Sequence, residues 1–377
     1  MPSISPIAPI APDSTLSNTR TRMMRADRGA LLAYTLMLAY ASLNPFVGWR
    51  WPEAFTLFAW PRYVITFDVI LNFAAYAPFG AMLAALLRER SRIGPFRIKN
   101  AAQRWCFVLV AGMGLSTGFE SLQSFLPSRV SSIVDLLANT AGGAVGAALV
   151  MAGPGRLLLS RWQHWRHQHF LSSNESDWGL ILLACWMVAQ LNPAIPFFEA
   201  GHIANPFDSA IADAYNLSVL LPQMIGIMLN VCGFVLFVTL LMHPGRNTML
   251  KVIPLLGIAF AMKVAMAALM LKAPQMIDWM APARVLGLTF GLFMAAYFLR
   301  FGYRWRTFCA TLFVFAGGLM TKITSIYGAF DETLRLFGWP HGQLVNFASL
   351  TRWIHETWPL VTVIFLAWLF VTHRDPN

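Results

Sequence analysis

Five residues with a charged or amide side chain lie in one stretch of the chain that is otherwise apolar enough to span a membrane. The stretch covers residues 118–149 and contains Glu120, Gln123, Arg129, Asp135 and Asn139. An ionisable side chain inside a bilayer must be solvated by a partner, a water-filled cavity or a ligand, and such residues commonly mark functional sites. Two carboxylates in one buried volume are also the groups that general acid and base catalysis requires. We therefore take this stretch as the candidate site.

The preceding apolar segment, residues 67–83, carries a second set of polar side chains. Asp68, Asn72 and Tyr76 occur at i, i+4 and i+8, so they share one face of a helix. Their carboxylate, amide and hydroxyl groups can all make hydrogen bonds to a ligand. We expect this face to point toward the carboxylates of the next two helices.

A short turn, residues 126–132, joins the helices that carry Glu120 and Asp135, with Arg129 at its mouth. Asp135 and Asn139 occur at i and i+4, so the turn should place them beside Glu120 at similar depth. Two interpretations stay open. One is a buried ion-pair network that only fixes helix packing. The other is a ligand-binding or reaction site, which is favoured because three carboxylates face one arginine.

Three glycines follow on the same helix, at Gly142, Gly143 and Gly146. The spacing of Gly142 and Gly146 is that of small residues at close helix contacts in membranes. They lie on the face that carries Asp135 and Asn139. We expect them to pack against a neighbouring backbone and so to bring the polar side chains together.

The composition places the whole chain in a membrane. Of 377 residues, 57% are hydrophobic and 12% charged, and the mean hydropathy is +0.56. A soluble domain could not cover so much apolar surface. The fold class is therefore an all-α polytopic membrane protein with about ten transmembrane helices, since a span needs about 20 apolar residues. The predicted windows are 29–46, 67–87, 105–126, 133–151, 178–192, 218–242, 252–271, 283–299, 307–325 and 358–372.

The net charge of +11 reports the orientation of these helices rather than a nucleic-acid partner. Basic residues are concentrated in alternate loops, such as residues 88–104 and 156–166, and are sparse in the others. By the positive-inside rule both termini are cytoplasmic, and we expect a multi-pass protein of the plasma (inner) membrane. No aromatic–basic binding module accompanies the charge, so nucleic acid is not an expected partner.

The segments divide the chain into five predicted regions. Residues 1–28 are rich in Pro, Ser and Thr and predict a disordered cytoplasmic tail. A four-helix membrane domain follows, then a cytoplasmic interfacial segment, then a second membrane half, and last two further helices with an outer amphipathic segment that lies on the membrane. Their bounds are 29–153, 154–177, 178–300, 301–377 and, for the amphipathic segment, 326–357.

The second half has features of a degenerate copy of the first, in a 4+4 repeat followed by two helices. Asn192 follows a leucine and precedes a proline, as Asn44 does, and Leu229-Asn230 echoes Leu71-Asn72. Coincidence between apolar helices remains an equal alternative. Lys263, near the middle of its helix, must pair, face water or lose its proton, and pairing with Glu120 or Asp68 would reduce the charge imbalance.

Metal and cofactor sites are not predicted. The four cysteines lie in four different helices without ligand spacing. His164, His167 and His169 alternate with Trp and Arg residues, a pattern typical of an interfacial amphipathic helix. We expect no metal and no cofactor.

Residues 30–150 resemble the VanZ-like family of membrane proteins. The resemblance rests on Asp68, Asn72, Tyr76 and the Pro78-Phe79-Gly80 that follows, on Glu120-x-x-Gln123, on the turn Phe125-Leu126-Pro127-x-Arg129, and on Asp135, Asn139, Gly142, Gly143 and Gly146. The first helix departs from the family, since Asn44 directly precedes Pro45. The resemblance implies an integral envelope protein linked with glycopeptide resistance of the teicoplanin type.

The resulting functional hypothesis is recognition of a polar envelope component, a lipid-linked phosphate or a cell-wall precursor, at an outward-facing acidic pocket. Membrane lipids and such a precursor are the expected partners. The expected ligand-binding residues are Asp68, Asn72, Tyr76, Gln123, Arg129 and Asn139, with Arg129 holding the anion. An acid/base hydrolase or transferase that acts on a lipid head group, with Glu120 and Asp135 as catalytic residues, is the alternative. A proton-coupled transporter is the second alternative.

Overall fold

The computed structural model shows a helical protein, apart from one pair of two-residue strands. It describes residues 14–52, 60–61, 63–88, 92–93, 96–97, 100–127, 129, 131–193, 195–198, 217–245, 247–270, 282–324 and 342–372. The described helices are α1 (Ser14–Leu43), α2 (Thr66–Arg88), α3 (Ala101–Gln123), α4 (Ile133–Met151), α5 (Gly153–His169), α6 (Asn174–Ala189), α7 (Leu217–Leu241), α8 (Thr248–Met270), α9 (Pro282–Phe298), α10 (Tyr303–Thr324) and α11 (Gly342–Thr372). Strands β1 (Arg92–Ile93) and β2 (Phe96–Arg97) pair antiparallel between α2 and α3, with Arg92 opposite Arg97.

Six of the described helices are long and apolar enough to cross a membrane, which confirms a multi-pass helical protein. They are α2, α3, α4, residues Leu220–Leu241 of α7, α8, and residues Phe347–Thr372 of α11. Each of the ten predicted windows overlaps one helix, but ten spans are not confirmed. Helices α6 and α9 have only 16 and 17 residues. Helices α1 and α10 contain charged and polar residues that lower their hydropathy.

Helices α2 and α4 approach each other so closely that their glycines meet backbone. A Cβ atom at Gly142 would overlap the carbonyl of Phe73, and one at Gly146 would overlap that of Ala77. On the facing helix, a Cβ at Gly80 would overlap the carbonyl of Gly143. Only glycine leaves room for this contact, so the small-residue spacing sets the distance between the two helices that carry Asn72 and Asp135.

Local capping fixes where the next helices begin. The Asn100 side chain accepts a hydrogen bond of 2.9 Å from Gln103 N at the start of α3. Ser132 is the N-cap of α4, has extended backbone, and accepts from Val134 N at 3.2 Å. Capping side chains satisfy amide donors that a helix itself leaves unpaired. The α3–α4 turn is therefore defined by sequence, and it places the ends of both helices side by side.

The second half is organised around α7 rather than around a copy of the α2–α4 pair. Nearly the whole length of α7 after Ile227 is buried. Glycines of two different helices pack on it, since a Cβ at Gly291 of α9 would crowd Val231 and one at Gly317 of α10 would crowd Asn230. The 4+4 repeat is not confirmed, because α7 lies between two glycine-bearing helices where α2 has one.

The last helix joins the two halves. Leu350 and Ile354 are buried against Ala189 of α6, with Met37 and Tyr40 of α1 packed on the same cluster. Trp358 Nε1 donates to the carbonyl of Leu182 at 2.8 Å. The sequence predicted a helix on the membrane over 326–357; residues 342–357 begin the long α11 and are continuous with the last apolar segment, and residues 326–341 lie outside the described residues.

Helix α1 also begins earlier than its composition indicated. It starts at Ser14, so the second part of the segment 1–28, predicted to be disordered, is helical. Residues 1–13 lie outside the described residues. The segment after Ser14 contains leucine, methionine, alanine and arginine, which have high helix propensity and extend the apolar helix at its amino end.

Candidate functional site

A polar cluster lies between the facing sides of α2, α3 and α4. We define it as Asp68, Asn72 and Tyr76 of α2, Ser116 and Glu120 of α3, and Asp135 and Asn139 of α4. Tyr76, Ser116, Glu120 and Asn139 are buried, while Asp68, Asn72 and Asp135 are half-buried. The structure thus brings together most of the residues that the sequence singled out. Ser116 was not among the predicted site residues, although its i+4 relation to Glu120 places it on the same helix face.

Glu120 closes the turn between α3 and α4. Its side chain is 4% exposed, and its Oε2 accepts a hydrogen bond of 2.9 Å from the backbone amide of Ser132. Ser132 is the N-cap of α4, so the carboxylate lies at the positive end of the α4 dipole, where negative charge is favourable. Asp135 and Arg129 are the charged neighbours of Glu120.

Asp135 lies in the first turn of α4 beside the Asn72 amide of α2. The charges nearest to it are Asp68 on α2 and Arg129 in the turn. The close α2–α4 contact creates this neighbourhood, because it places the two helix faces against each other. Glu120 and Asp135 therefore have different partners, a backbone amide for Glu120 and a side-chain amide for Asp135.

Two buried polar atoms deeper in the cluster lack a hydrogen-bond partner among the described residues. They are the hydroxyl of Tyr76 and Oδ1 of Asn139, in side chains that are 3% and 6% exposed. Asn139 Nδ2 donates to Ser116 Oγ at 3.0 Å, and Ser116 lies beside Tyr76. A buried polar atom without a partner costs free energy. A polar group of a ligand, or a water molecule, placed here would remove that cost.

Arg129 holds the end of α1 rather than the carboxylates. Its Nε donates to Asn44 O at 3.0 Å, and its Nη2 donates to Asn44 O at 2.6 Å and to Ala41 O at 3.0 Å. Among the described residues it forms no ion pair with Glu120 or Asp135. Burial lowers the pKa of Arg129, and the charges of Glu120 and Asp135 oppose that shift. The ion-pair network considered from sequence is thus absent as direct contacts, and the arginine acts on the carboxylates at longer range.

Gln123, like Arg129, bonds a carbonyl at the end of α1. Its Nε2 donates to Ser42 O at 2.9 Å, so two residues with predicted ligand-binding roles are engaged with the last turn of α1. Cationic and amide donors commonly satisfy the free carbonyls at a helix C-terminus. The sequence predicted that both residues lie near the cluster, but it does not show that their donors bond carbonyls at the end of α1.

A hydrogen-bonded path continues from this helix end into the second half. Ser349 Oγ of α11 donates to Asn44 Oδ1 at 3.1 Å and lies 3.3 Å from the Tyr40 hydroxyl. On the other side, Asn192 Nδ2 donates to Ala348 O at 3.2 Å. Asn44 and Asn192, each of which precedes a proline, therefore bond neighbouring residues of the same helix.

Lys263 belongs to the second half. It is fully buried, and its Nζ donates to Asn192 O and Ile195 O at 2.8 Å each. The sequence left open a pairing with Glu120 or Asp68. The observed carbonyl partners place the lysine at the segment after α6 instead, where it supports a helix end as Arg129 does for α1.

The loop between α1 and α2 packs on the α3–α4 turn. Arg50 N donates to Phe125 O at 2.9 Å, and the Trp51 ring meets the Phe125 ring edge-on, with centroids 5.4 Å apart. The loop exposes large aromatic side chains, with Trp51 82% and Tyr63 88% exposed. Exposed tryptophan and tyrosine are typical of the boundary between membrane and water. The α3–α4 turn, and with it Glu120, thus lies near such a boundary.

The comparisons with known proteins agree with the motifs of the first half. Residues 11–159 match the model of the VanZ/LLP1 family. No curated protein and no solved structure matches the chain. The matched range contains α1 to α4 and all residues of the polar cluster.

Proposed function

We propose that this VanZ-like membrane protein recognises a polar component of the cell envelope, a lipid-linked phosphate or a cell-wall precursor, at the polar cluster between α2, α3 and α4. The family is linked with teicoplanin resistance, and such recognition would contribute to glycopeptide resistance. The family match supports a role in the cell envelope. The polar cluster supports a ligand with a polar head group.

The observation that carries the proposal is the surplus of acceptors in a buried place. Glu120 and Asp135 bring two carboxylates, while the Nε and Nη2 donors of the neighbouring Arg129 bond carbonyls at the end of α1. A buried charge must be paired or hydrogen-bonded. The favoured ligand therefore offers N–H and O–H donors, as the hydroxyl and amide groups of a glycan or a peptide do, and it does not bind through an anionic group alone.

Two further features agree with such a ligand. The Tyr76 hydroxyl and Asn139 Oδ1, in side chains that both lie beside Ser116, offer a donor and an acceptor, which suits a hydroxyl group that both donates and accepts. The aromatic loop at the α3–α4 turn suits a molecule whose lipid part stays in the bilayer. A precursor with a lipid anchor and a polar head combines both requirements. By the positive-inside distribution of charge, the cluster faces the outer side.

An enzymatic function is the second candidate, and the unequal partners of the two carboxylates favour it. Glu120 accepts from a backbone amide, whereas Asp135 lies beside a side-chain amide and near Asp68. Two carboxylates in different environments are the arrangement that supplies a general acid and a general base. The transporter hypothesis has Glu120 and Lys263 in one relay, and it gains no support from the carbonyls of Asn192 and Ile195 to which Lys263 donates.

The test uses the full chain and two conservative variants. Glu120→Gln and Asp135→Asn keep the shape of each side chain and remove its charge. We expect both to lose retained polar lipid, measured by mass spectrometry of lipid that co-purifies with the protein, and to lose the glycopeptide phenotype of cells that carry them. Glu356→Gln, at a 45% exposed carboxylate on α11, is the matched control.

The outcomes separate the hypotheses. Thermal stability is measured on the same samples, and a loss of function that only follows a loss of stability would reduce the cluster to a packing element. Formation of a product from a lipid extract by the wild type, abolished in Glu120→Gln, would replace the binder by the enzyme. Retention of the same lipid by all four proteins would contradict both.

A further inference from the structure

Helix α5 lies along the membrane boundary. A Cβ atom at Gly155 would overlap the carbonyl of Leu149, so the chain turns sharply where α5 follows the end of α4. At the other end of α5, His243 N donates to His169 O at 3.0 Å, just after α7 ends. Helices α4 and α7 are both long and apolar enough to cross a membrane. Both ends of α5 are therefore held at the ends of spans, and the helix runs between them at the level where those spans leave the membrane.

One side of α5 faces the protein. Arg166 forms a salt bridge with Asp177 in the first turn of α6, and Phe170, directly after the last turn of α5, is buried. Asp27 of α1 also acts on the charge of Arg166. These contacts fix the rotation of the helix about its axis, and so they decide which of its side chains are exposed.

A second side of α5 is exposed and apolar. At 3.6 residues per turn, four large side chains lie within about 140° of the helix circumference. We call these four exposed residues the apolar face of α5, and they are Leu157, Leu158, Trp162 and Trp165. The rings of Trp162 and Trp165 stack, with centroids 5.2 Å apart. Ser160 and His164 are exposed as well, but they lie outside this arc.

The charged residues of α5 have one sign. Residues 153–169 include three arginines and three histidines, and no acidic residue. Arg161 is exposed, and its position lies between Leu157 and Trp165 on the helix circumference. Arg166, by contrast, is engaged with Asp177 on the side that faces the protein. The apolar face of α5 thus carries one cation, Arg161, within its arc.

Such a surface matches an anionic bilayer surface. An amphipathic helix with cations beside its apolar face lies in the interface, and anionic lipids strengthen its binding. Tryptophan favours the head-group level, and a long arginine side chain reaches phosphates from among apolar neighbours. We propose that α5 docks on phospholipids of net negative charge, with its apolar face among the acyl chains and Arg161 at the phosphates. A zwitterionic head group offers the same phosphate but adds an ammonium group, which opposes the attraction of the cation.

The depth of the apolar face is tested with a fluorescent label. Leu158→Cys and Ser160→Cys are made in the cysteine-free full-length protein, labelled with bimane and reconstituted in nanodiscs. Both positions are exposed, so neither change removes packing inside the protein. We expect lipids with brominated acyl chains to quench the label at position 158 more strongly than the label at position 160, and aqueous iodide to do the reverse. Equal responses of the two labels would overturn the docking. So would a label at position 158 that neither quencher reaches, which would indicate a protein partner on this face.

The lipid preference is tested by removing one charge. With the label at position 158, quenching by brominated phosphatidylglycerol in phosphatidylcholine is compared with the converse mixture at equal mole fraction, which gives the relative affinity of the two lipids. We expect a preference for phosphatidylglycerol of about five-fold or more, and a loss of about five-fold in Arg161→Gln, since one cation near an anionic surface contributes that much. Arg300→Gln, at an exposed arginine just after α9, is the matched control and should keep the preference.

Three outcomes would overturn the lipid preference. They are equal affinities of the two lipids in the wild type, an unchanged preference in Arg161→Gln, and an equal loss in Arg161→Gln and Arg300→Gln. No residue of α5 belongs to the polar cluster, so the result is independent of the function proposed above.

Discussion

The glycine contact between α2 and α4 predicts opposite effects for the same substitution at two sites. Gly146 and Gly114 both lie inside helices, in α4 and α3. A Cβ atom at Gly146 would overlap the carbonyl of Ala77, whereas a Cβ at Gly114 would meet nothing within 4 Å. The atom in the way at Gly146 is backbone, which cannot turn aside as a side chain can. Gly146→Ala should therefore push α4 away from α2.

The magnitude follows from two opposing contributions. Replacing glycine by alanine in a helix stabilises by about 1 kcal/mol in open surroundings. Overpacking a close contact costs about 1 to 3 kcal/mol, and backbone contact belongs at the upper end of that range. We expect Gly114→Ala to stabilise the protein by about 0.5 to 1 kcal/mol. We expect Gly146→Ala to destabilise it by about 1 to 2 kcal/mol after the gain in helix propensity is subtracted.

The assay is thermal unfolding of the purified variants in one detergent, with the fraction of monodisperse protein as a second measure. Gly146→Leu adds further volume and should lower both values more than Gly146→Ala does. The displacement should also separate Asp135 from Asn72, so ligand retention should fall in the Gly146 variants and stay normal in Gly114→Ala. If Gly146→Ala proved as stable as Gly114→Ala, the close α2–α4 contact would be refuted.

Three further predictions concern α1 and the orientation of the chain. Arg129→Gln should destabilise by about 2 to 4 kcal/mol, because it removes charged hydrogen bonds to the end of α1, and a variant with unchanged thermal stability would show that those bonds are not made. Ser349→Ala should cost about 0.5 to 1.5 kcal/mol by removing the bond to Asn44 that joins the two halves, and a double-mutant cycle with Asn44→Ala should show that the two losses are not additive. In a cysteine-free background, Arg50→Cys should react with an impermeant thiol reagent in intact cells while Ser160→Cys should not, and the reverse pattern would invert the predicted topology.

Arg129 shows why a cluster found by sequence still needs its neighbours. The sequence suggests that an arginine among carboxylates is their counter-ion, and the charges of Glu120 and Asp135 do raise the pKa of Arg129. Its donors nevertheless bond carbonyls of a helix 85 and 88 positions away in the chain. A test of the site through Arg129 would therefore report mainly the stability of α1. The variants of Glu120 and Asp135 are the informative ones.

The sequence by itself determined the class of protein, the approximate positions of its helices and most residues of the cluster. Hydropathy and helical period are local properties, so each predicted window overlaps a helix, and i, i+4 spacing places Asp135 and Asn139 on one face. The short turn after α3 then predicted that this face lies beside Glu120. These conclusions needed no contact between distant parts of the chain.

Only the tertiary structure decided which groups meet across the chain. Ser349 bonds Asn44 from 305 positions away, and Lys263 bonds the carbonyl of Asn192 from 71 positions away. A buried donor takes whichever carbonyl the packing brings near, and the residue type alone does not say which one. For the same reason the start of α11, whose spacing predicted a helix lying on the membrane, became the element that joins α1 to α6. Periodicity states which face is apolar, and the packing of the other helices decides what that face meets.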